Sequence, residues 1–316
     1  SAWTSPDGIH WSKLREEAVI PVSMVPFKYM FDSQNLAFWS ELEDCYVCFF
    51  RVFEGGIRRI ARTTSTDFLT WTEPVLMQYE TNGQPSPIEH LYTNQTHPYF
   101  RAPQIYVSVA ARFMPGRQVL NNEQAKAINV DPSYFKDTSD AIFMTTRGTD
   151  IYQRTFLSAF IRPGIGAHNW VSRTNYPALN VVQTGDTEMS VYVNQDYAQP
   201  TAHLRRYSLR LDGFSSLHAD YDGGQFRTKP FTFDGSRLNI NFSTSAAGGI
   251  QFELQDTDGQ PISGYALADS VEQIGNEIER TVTWKSGSDV SALSGKTVRL
   301  LCKLKDADLY SLQFGK

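Results

Sequence analysis

Short runs of β-branched and aromatic residues recur along the first 220 positions, separated by clusters of Gly, Pro, Asn, Asp and Ser. Runs at 35–39, 46–50 and 58–62 form one set, runs at 96–100, 105–110 and 141–145 a second, and runs at 178–182, 189–193 and 204–209 a third. Some alternate apolar with polar positions and others are continuously apolar; bounded by turn formers, both patterns predict strands. Helical periodicity is nearly absent, and only 121–128, inside a long insertion, has a helix-compatible composition.

A turn pattern punctuates these sets. It is clear in Ser5-Pro-Asp7-Gly-Ile-His-Trp11 and Ser65-Thr-Asp67-Phe-Leu-Thr-Trp71, and degenerate in Thr149-Asp150-Ile-Tyr152 and Leu211-Asp212-Gly-Phe214. The aspartates are spaced by 60, 83 and 62 residues. Asp or Ser closes such a turn through its side chain, Gly tolerates positive φ, and the aromatic residue anchors it. Three strands plus a capped outer strand, repeating at roughly sixty residues, describe a propeller blade. Residues 26–77, 90–173 and 174–220 supply three blades, and residues 1–15 supply the outer end of another. A ring closes with at least about four blades, so the expectation is a chain lacking an N-terminal blade, or one completed by self-association or by a partner segment.

From about residue 224 the texture changes. Strand-like runs at 226–233, 238–242, 249–254, 279–284, 298–304 and 309–314 are spaced by turns such as Asp256-Thr-Asp-Gly. Six or more strands in such a stretch predict a β-sandwich. The chain therefore divides into a propeller domain, 1–222, and a sandwich domain, 223–316.

Composition narrows the function. Of 316 residues, 41% are hydrophobic and 20% charged, as in ordinary globular proteins. A net charge of −5 argues against a nucleic-acid partner, which would need a concentrated basic stripe. No apolar run of about eighteen residues occurs, so no helix long enough to cross a membrane is expected. Among the three cysteines, Cys45 and Cys48 form a C-x-x-C within a strand-like run. Residues three apart on a strand face opposite ways, so the pair reads as structural thiols rather than as a metal or redox site. The chain begins Ser-Ala-Trp-Thr with no visible signal peptide, the expectation for a processed or truncated product, whether cytoplasmic or exported. Sequons stand at Asn94 and Asn241.

The string Phe31-Asp-Ser-Gln-Asn-Leu-Ala-Phe-Trp39 resembles a motif of bacterial five-bladed β-propeller glycosidases grouped loosely with glycoside hydrolase families 32 and 43. Leu91-Tyr-Thr-Asn94, Phe160-Ile-Arg-Pro-Gly164, Leu204-Arg-Arg-Tyr-Ser-Leu-Arg-Leu-Asp-Gly-Phe214 and Lys305-Asp-Ala-Asp-Leu-Tyr-Ser-Leu-Gln-Phe314 resemble the same group. The resemblance spans nearly the whole chain. It implies an all-β chain, a five-bladed β-propeller incomplete at its N-terminus followed by a β-sandwich, acting on carbohydrate with no cofactor.

In propeller hydrolases the first residues of each innermost strand line an axial funnel, and glycoside hydrolysis needs two carboxyl groups flanking the scissile bond. Asp32, opening an inner strand, is the candidate base or nucleophile, with Ser33, Gln34 and Asn35 suited to sugar hydroxyls. Glu188 and Glu89 compete for the acid role, and Asp140 is the candidate pKa modulator. Each has an alternative as a turn-capping or solvated carboxylate. Arg101, Arg154, Arg162 and Arg173 supply forks for carboxylates and hydroxyl pairs, with Arg173, beside Asn175 and Tyr176, the best placed. Asn94 and His97 are candidate substrate contacts, and Trp39 and Trp170 candidate stacking platforms; core packing is the ordinary alternative for each. No metal-binding motif, P-loop, Rossmann fingerprint, G-x-S-x-G or H-E-x-x-H occurs.

Three functional readings follow: a glycoside hydrolase with an acid/base pair in the funnel; a sialidase-like hydrolase, since Ser5-x-Asp-Gly-x-x-Trp resembles an Asp-box turn; and a carbohydrate-binding or scaffold protein without turnover. A carboxyl pair at hydrolytic separation would favour an enzyme, and a pocket with one acid would favour binding.

Overall fold

The computed structural model describes residues 2–32 and 34–315; Ser33 lies outside the described residues. The fold is all-β, and its one α-helix among the described residues is α1 (Asn122–Ala127), in the stretch of helix-compatible composition. A capping box fixes its start: Asn121 accepts from the Gln124 amide while the Gln124 side chain accepts from the Asn121 amide. The chain forms two compact units. The first comprises Ser1–Thr184 and Ser190–Ser208, the second Gly185–Met189 and Leu209–Lys316.

In the first unit, a short hairpin of β1 (Trp3–Thr4) and β2 (Ser12–Lys13) precedes an antiparallel meander. The meander runs β3 (Leu36–Ser40), β4 (Cys45–Glu54), β5 (Ile57–Ser65) and β6 (Val75–Leu76), in that order. After the hairpin β7 (Gln78–Thr81) and β8 (Gln84–Pro85) comes a second meander of β9 (His97–Tyr99), β10 (Ala102–Met114), β11 (Thr138–Thr146) and β12 (Ile151–Gln153). Its outer strand β12 takes β7 in parallel, giving six strands in one sheet. In the third sheet, β13 (Tyr176–Pro177), β14 (Val182–Gln183) and β16 (His203–Arg210) all pair with β15 (Glu188–Gln195). The strand predicted over 178–182 is broken, because Asn180 sits at φ +77° between β13 and β14, each of which pairs with β15.

The continuous apolar run of β4 is explained by burial on both faces. Val47 and Phe49 pack with Ile60, Tyr106, Ile142 and Tyr152. Cys48, Phe50 and Val52 face the other way, against Trp71 and the partly buried Val19, Ile20 and Phe27. Cys45 joins the first cluster and Cys48 the second, so the C-x-x-C side chains point to opposite faces and both thiols are free. Burial pushes the Cys48 thiol up to about 12.

The two clear Asp turns are alike. Asp7 Oδ1 accepts from the amides of Ile9 and His10 at 2.8 Å, and Trp11 Nε1 donates to Gly8 O at 3.1 Å. Asp67 Oδ1 accepts from Leu69 and Thr70 at 2.8 and 2.7 Å, and Trp71 Nε1 donates to Phe68 O at 3.0 Å. Asp212 differs: it belongs to the second unit, at φ +59°, and accepts from Ser311 Oγ at 2.5 Å.

The second unit is a five-stranded sheet in the order β17 (Leu217–Ala219), β21 (Arg299–Gly315), β19 (Arg237–Gln255) and β20 (Asn276–Thr281), with β18 (Gly224–Arg227) also on β21. The runs predicted separately at 238–242 and 249–254 are one strand of 19 residues, and those at 298–304 and 309–314 one of 17. The register shifts between Thr244 and Gly249, where small residues let the paired strands bend together. A Cβ on Gly248 would lie 2.3 Å from Asp306 O, and one on Gly249 2.1 Å from Glu272 Oε1. Trp284, Phe242, Phe252 and Leu300 form the buried core of this unit.

Candidate functional site

The segments leading into the three inner strands of the first unit share an unusual backbone. Gln34, Gln95 and Asn175 all adopt left-handed conformations, at φ of +58°, +52° and +60°, just ahead of β3, β9 and β13. Tyr29 and Phe31 do so as well, at +49° and +57°. For residues with a Cβ this costs roughly 1–2 kcal/mol each, and it persists only where the surroundings hold it. Phe31 is held by stacking on Phe50 at 4.3 Å and by donating its amide to Arg51 O at 3.1 Å. Gln95 ties the segments together: its Nε2 donates to Gln34 Oε1 and, at 2.7 Å, to Pro177 O.

These segments open onto a cleft of about 460 Å³. Asp32 and Gln34 line it from the first sheet and Tyr92 from the segment before the second. Arg173, Tyr176, Asn194 and Tyr197 line it from the third. The Tyr92 and Tyr176 rings are 5.2 Å apart and tilted by 45°. Around Tyr92 stand three guanidinium groups: Arg51 at 4.5 Å, Arg58 at 4.9 Å and Arg173 at 5.7 Å from the ring centre. Arg51 is buried and pairs with Asp32, whose side chain is 54% exposed. Burial raises the Tyr176 hydroxyl well above its ordinary pKa, with the three arginines pulling the other way. The Tyr176 hydroxyl and Arg51 Nη1 are buried without a hydrogen-bond partner among the described residues.

Glu89 and Asp140 meet elsewhere. Arg112 grips Asp140 with both arms, Nε to Oδ1 at 2.8 Å and Nη2 to Oδ2 at 2.7 Å, and donates through Nη1 to Glu89 Oε1 at 2.7 Å. Arg154 donates to Glu89 Oε2 at 2.5 Å. All four carboxylate oxygens are thereby occupied, and the Asp140 carboxylate holds Arg112 well above its ordinary pKa. Asp140 also lines a different cavity, of about 570 Å³, with Arg162 and Trp170. Within the first unit the candidate acids thus fall into two groups. Asp32 lines one cleft, while Glu89 and Asp140 share one ion network. Glu188 opens β15, where its backbone closes a turn with that of Gly185.

Several candidate substrate contacts are engaged inside the protein. Asn94, at 1% exposure, accepts from the Thr96 amide at 2.9 Å. His97 uses both ring nitrogens: Nδ1 donates to Gln95 O at 2.7 Å and Nε2 accepts from the Val181 amide at 3.3 Å. That tautomer is neutral, and burial depresses the pKa of the ring. Asn175 is fully buried and donates to Ser139 O at 3.0 Å, and Arg154 is buried in the ion network. Asn35 Oδ1 accepts from the Arg51 amide at 3.4 Å, while Arg101 lies exposed in the turn between β9 and β10. Of the sugar-contact candidates, Gln34 and Arg173 line the Asp32 cleft. Trp39 is 40% exposed, and the sequon residues Asn94 and Asn241 are both buried at 1% exposure.

Sequence reasoning did not single out Arg51, Arg58, Tyr92 or Tyr197. The signal for Arg51 was present, as a charged residue in the run Cys45-Tyr-Val-Cys-Phe-Phe-Arg-Val, where a buried strand carries a charge only if it is partnered.

No family model matches the chain, and no curated protein does. Among solved structures it is similar to the Bombyx mori GH32 β-fructofuranosidase BmSUC1, with a TM-score of 0.39 and 12% identity over 99% of this chain and 72% of that one. A likeness of that depth transfers neither residues nor activity.

Proposed function

We propose that the Asp32 cleft binds carbohydrate, in a chain built as part of a five-bladed propeller followed by a β-sandwich-type unit. The observation that carries this reading is the pairing of tyrosine rings with hydrogen-bonding groups around one cleft. Tyr92, Tyr176 and Tyr197 supply aromatic surface for the C–H faces of a sugar, while Gln34, Asn194, Arg173 and Asp32 supply groups for its hydroxyls. Asp32 is the one carboxylate among the residues lining the cleft. Hydrolysis by the two-carboxyl route needs a second, so binding is the reading favoured over turnover.

Glycoside hydrolysis is the second reading, and the Asp32–Arg51 pair favours it. The buried guanidinium fixes the position of a carboxylate that is still half exposed at the cleft, a placement that a nucleophile or base requires. A panel of neutral and acidic oligosaccharides, screened both for binding and for release of monosaccharide, separates the two. Binding without release supports the binding protein. Release that Asp32→Asn abolishes supports the hydrolase. A chain that neither binds nor cleaves any member contradicts both.

A further inference from the structure

Three largely buried arginines elsewhere in the first unit are matched to carboxylates. Arg62 holds Glu43, Arg112 holds Asp140 and Glu89, and Arg154 holds Glu89. The cleft breaks that pattern. Arg51, Arg58 and Arg173 gather around Tyr92, with Arg173 lining the cleft itself, and Asp32 is the one carboxylate among the described residues that line it, already paired to Arg51. Arg58 lies over the rings of Phe53, Tyr92 and Phe113 at 5.7, 4.9 and 4.9 Å, and Arg173 over Tyr134 at 4.8 Å. Neither Arg58 nor Arg173 has a carboxylate partner among the described residues.

The donors are short of acceptors as well as of charge. Arg58 Nε and Arg51 Nη1 are buried without a hydrogen-bond partner among the described residues, and so is the Tyr176 hydroxyl. Arg51 is only 6% exposed, so water does little to solvate it. Aromatic faces attract a guanidinium but accept none of its in-plane N–H bonds. Partly desolvated cations left without an anion are costly, and an oxyanion meeting their forks would supply both missing charge and missing acceptors.

We infer that Arg173, with Arg51 and Arg58 behind it around Tyr92, recognises the acid group of an anionic glycan, a carboxylate or a sulfate ester, in the Asp32 cleft. The inference rests on the reading of that cleft as a carbohydrate site and names the class of sugar it takes. The planar guanidinium suits either oxyanion, since both present paired oxygens to a bidentate fork. The sugar ring then lies against Tyr92 and Tyr176.

The test is isothermal titration calorimetry on the whole chain with three probes: oligogalacturonate, the same oligomer with its carboxyls reduced to neutral alcohols, and a sulfated galactose oligomer. The uronate is expected to bind at least about tenfold tighter than its reduced form, and to weaken as NaCl is raised to about 0.5 M. Arg173→Gln is expected to bring the acidic-to-neutral affinity ratio close to one, Arg58→Gln to lower it, and Arg173→Lys to restore part of it. Should the Gln variants fail to fold, the wild-type ratio and its salt dependence decide. Preference for the sulfated oligomer alone supports the inference with sulfate as the group. Equal binding of the charged and reduced oligomers, insensitive to salt, overturns it while leaving a carbohydrate site. Binding of none of the three by a folded chain overturns both.

Discussion

Arg51, from the interior of β4, pairs with Asp32 in the segment that leads into β3. The two are unequal partners, the arginine side chain 7% exposed and the aspartate 54%. A buried cation on the second strand of its sheet thus fixes the position of a carboxylate that still meets solvent at a cleft.

That inequality sets the outcome of mutation. Asp32→Asn is expected to cost about 1 kcal/mol of stability, because the aspartate end of the pair is half exposed and the amide oxygen of Asn still accepts from Arg51. Its melting temperature should stay within a few degrees of wild type, while affinity for a bound sugar falls about tenfold through loss of a charged acceptor. Thermal melts and calorimetry on the same preparation check both. A large loss of stability would make Asp32 chiefly structural.

Arg112 should behave in the opposite way. Arg112→Met leaves Glu89 without one of its two arginines and Asp140 without its bidentate partner, both largely buried. Removing one side of such a buried pair costs about 3 kcal/mol or more. Urea unfolding of the variant is expected to show that loss, and Asp140→Asn to leave sugar affinity in the Asp32 cleft unchanged. A stable Arg112→Met chain would show that the network contributes little.

His97 gives the first unit a pH dependence. Burial lowers its pKa below the ordinary 6.5, so below that pH the unfolded chain takes up a proton that the folded chain resists. Stability therefore rises with pH through this window and falls as pH drops below 6.5, by up to about 1.4 kcal/mol per pH unit for one group. The less buried His90 is also lowered, by burial and then by Arg58. Melts from pH 7.5 to pH 5.5 should show the decline, and His97→Gln should flatten it. An unchanged slope in that variant would assign the effect to other groups.

In the second unit, Gly248 lies where β19 bends against β21. Gly248→Val would drive a side chain into Asp306 O, 2.3 Å from the new Cβ, and is expected to cost about 3 kcal/mol. Denaturant unfolding reads this directly. A variant as stable as wild type would show that the strands separate there at little cost.

The strands were legible because their signal is local. β4, β5, β10 and β11 coincide with predicted strand runs, the Asn121 capping box with the helix, and two Ser-x-Asp turns with matching hydrogen bonds. What escaped depends on tertiary pairing. The break at Asn180 needs one residue in a left-handed conformation, and the merging of two runs into β19 depends on how closely Gly248 approaches β21. The site was legible in part for the same reason. Asp32, Gln34 and Arg173 stand just ahead of inner strands and reach the cleft, whereas Arg51 and Arg58 approach from second and third strands, which sequence position alone does not reveal. Asn94, His97 and Asn175 also stand ahead of or open inner strands, but their side chains are consumed by backbone groups of their neighbours.

Hydrogen–deuterium exchange of the whole chain, with and without a saturating oligosaccharide chosen from the binding panel, tests the central claim most directly. The account predicts slower exchange in the segments carrying the cleft, around residues 29–36, 91–97 and 173–178, with the second unit unchanged. Protection confined to the second unit, or no oligosaccharide able to protect any segment, would contradict it.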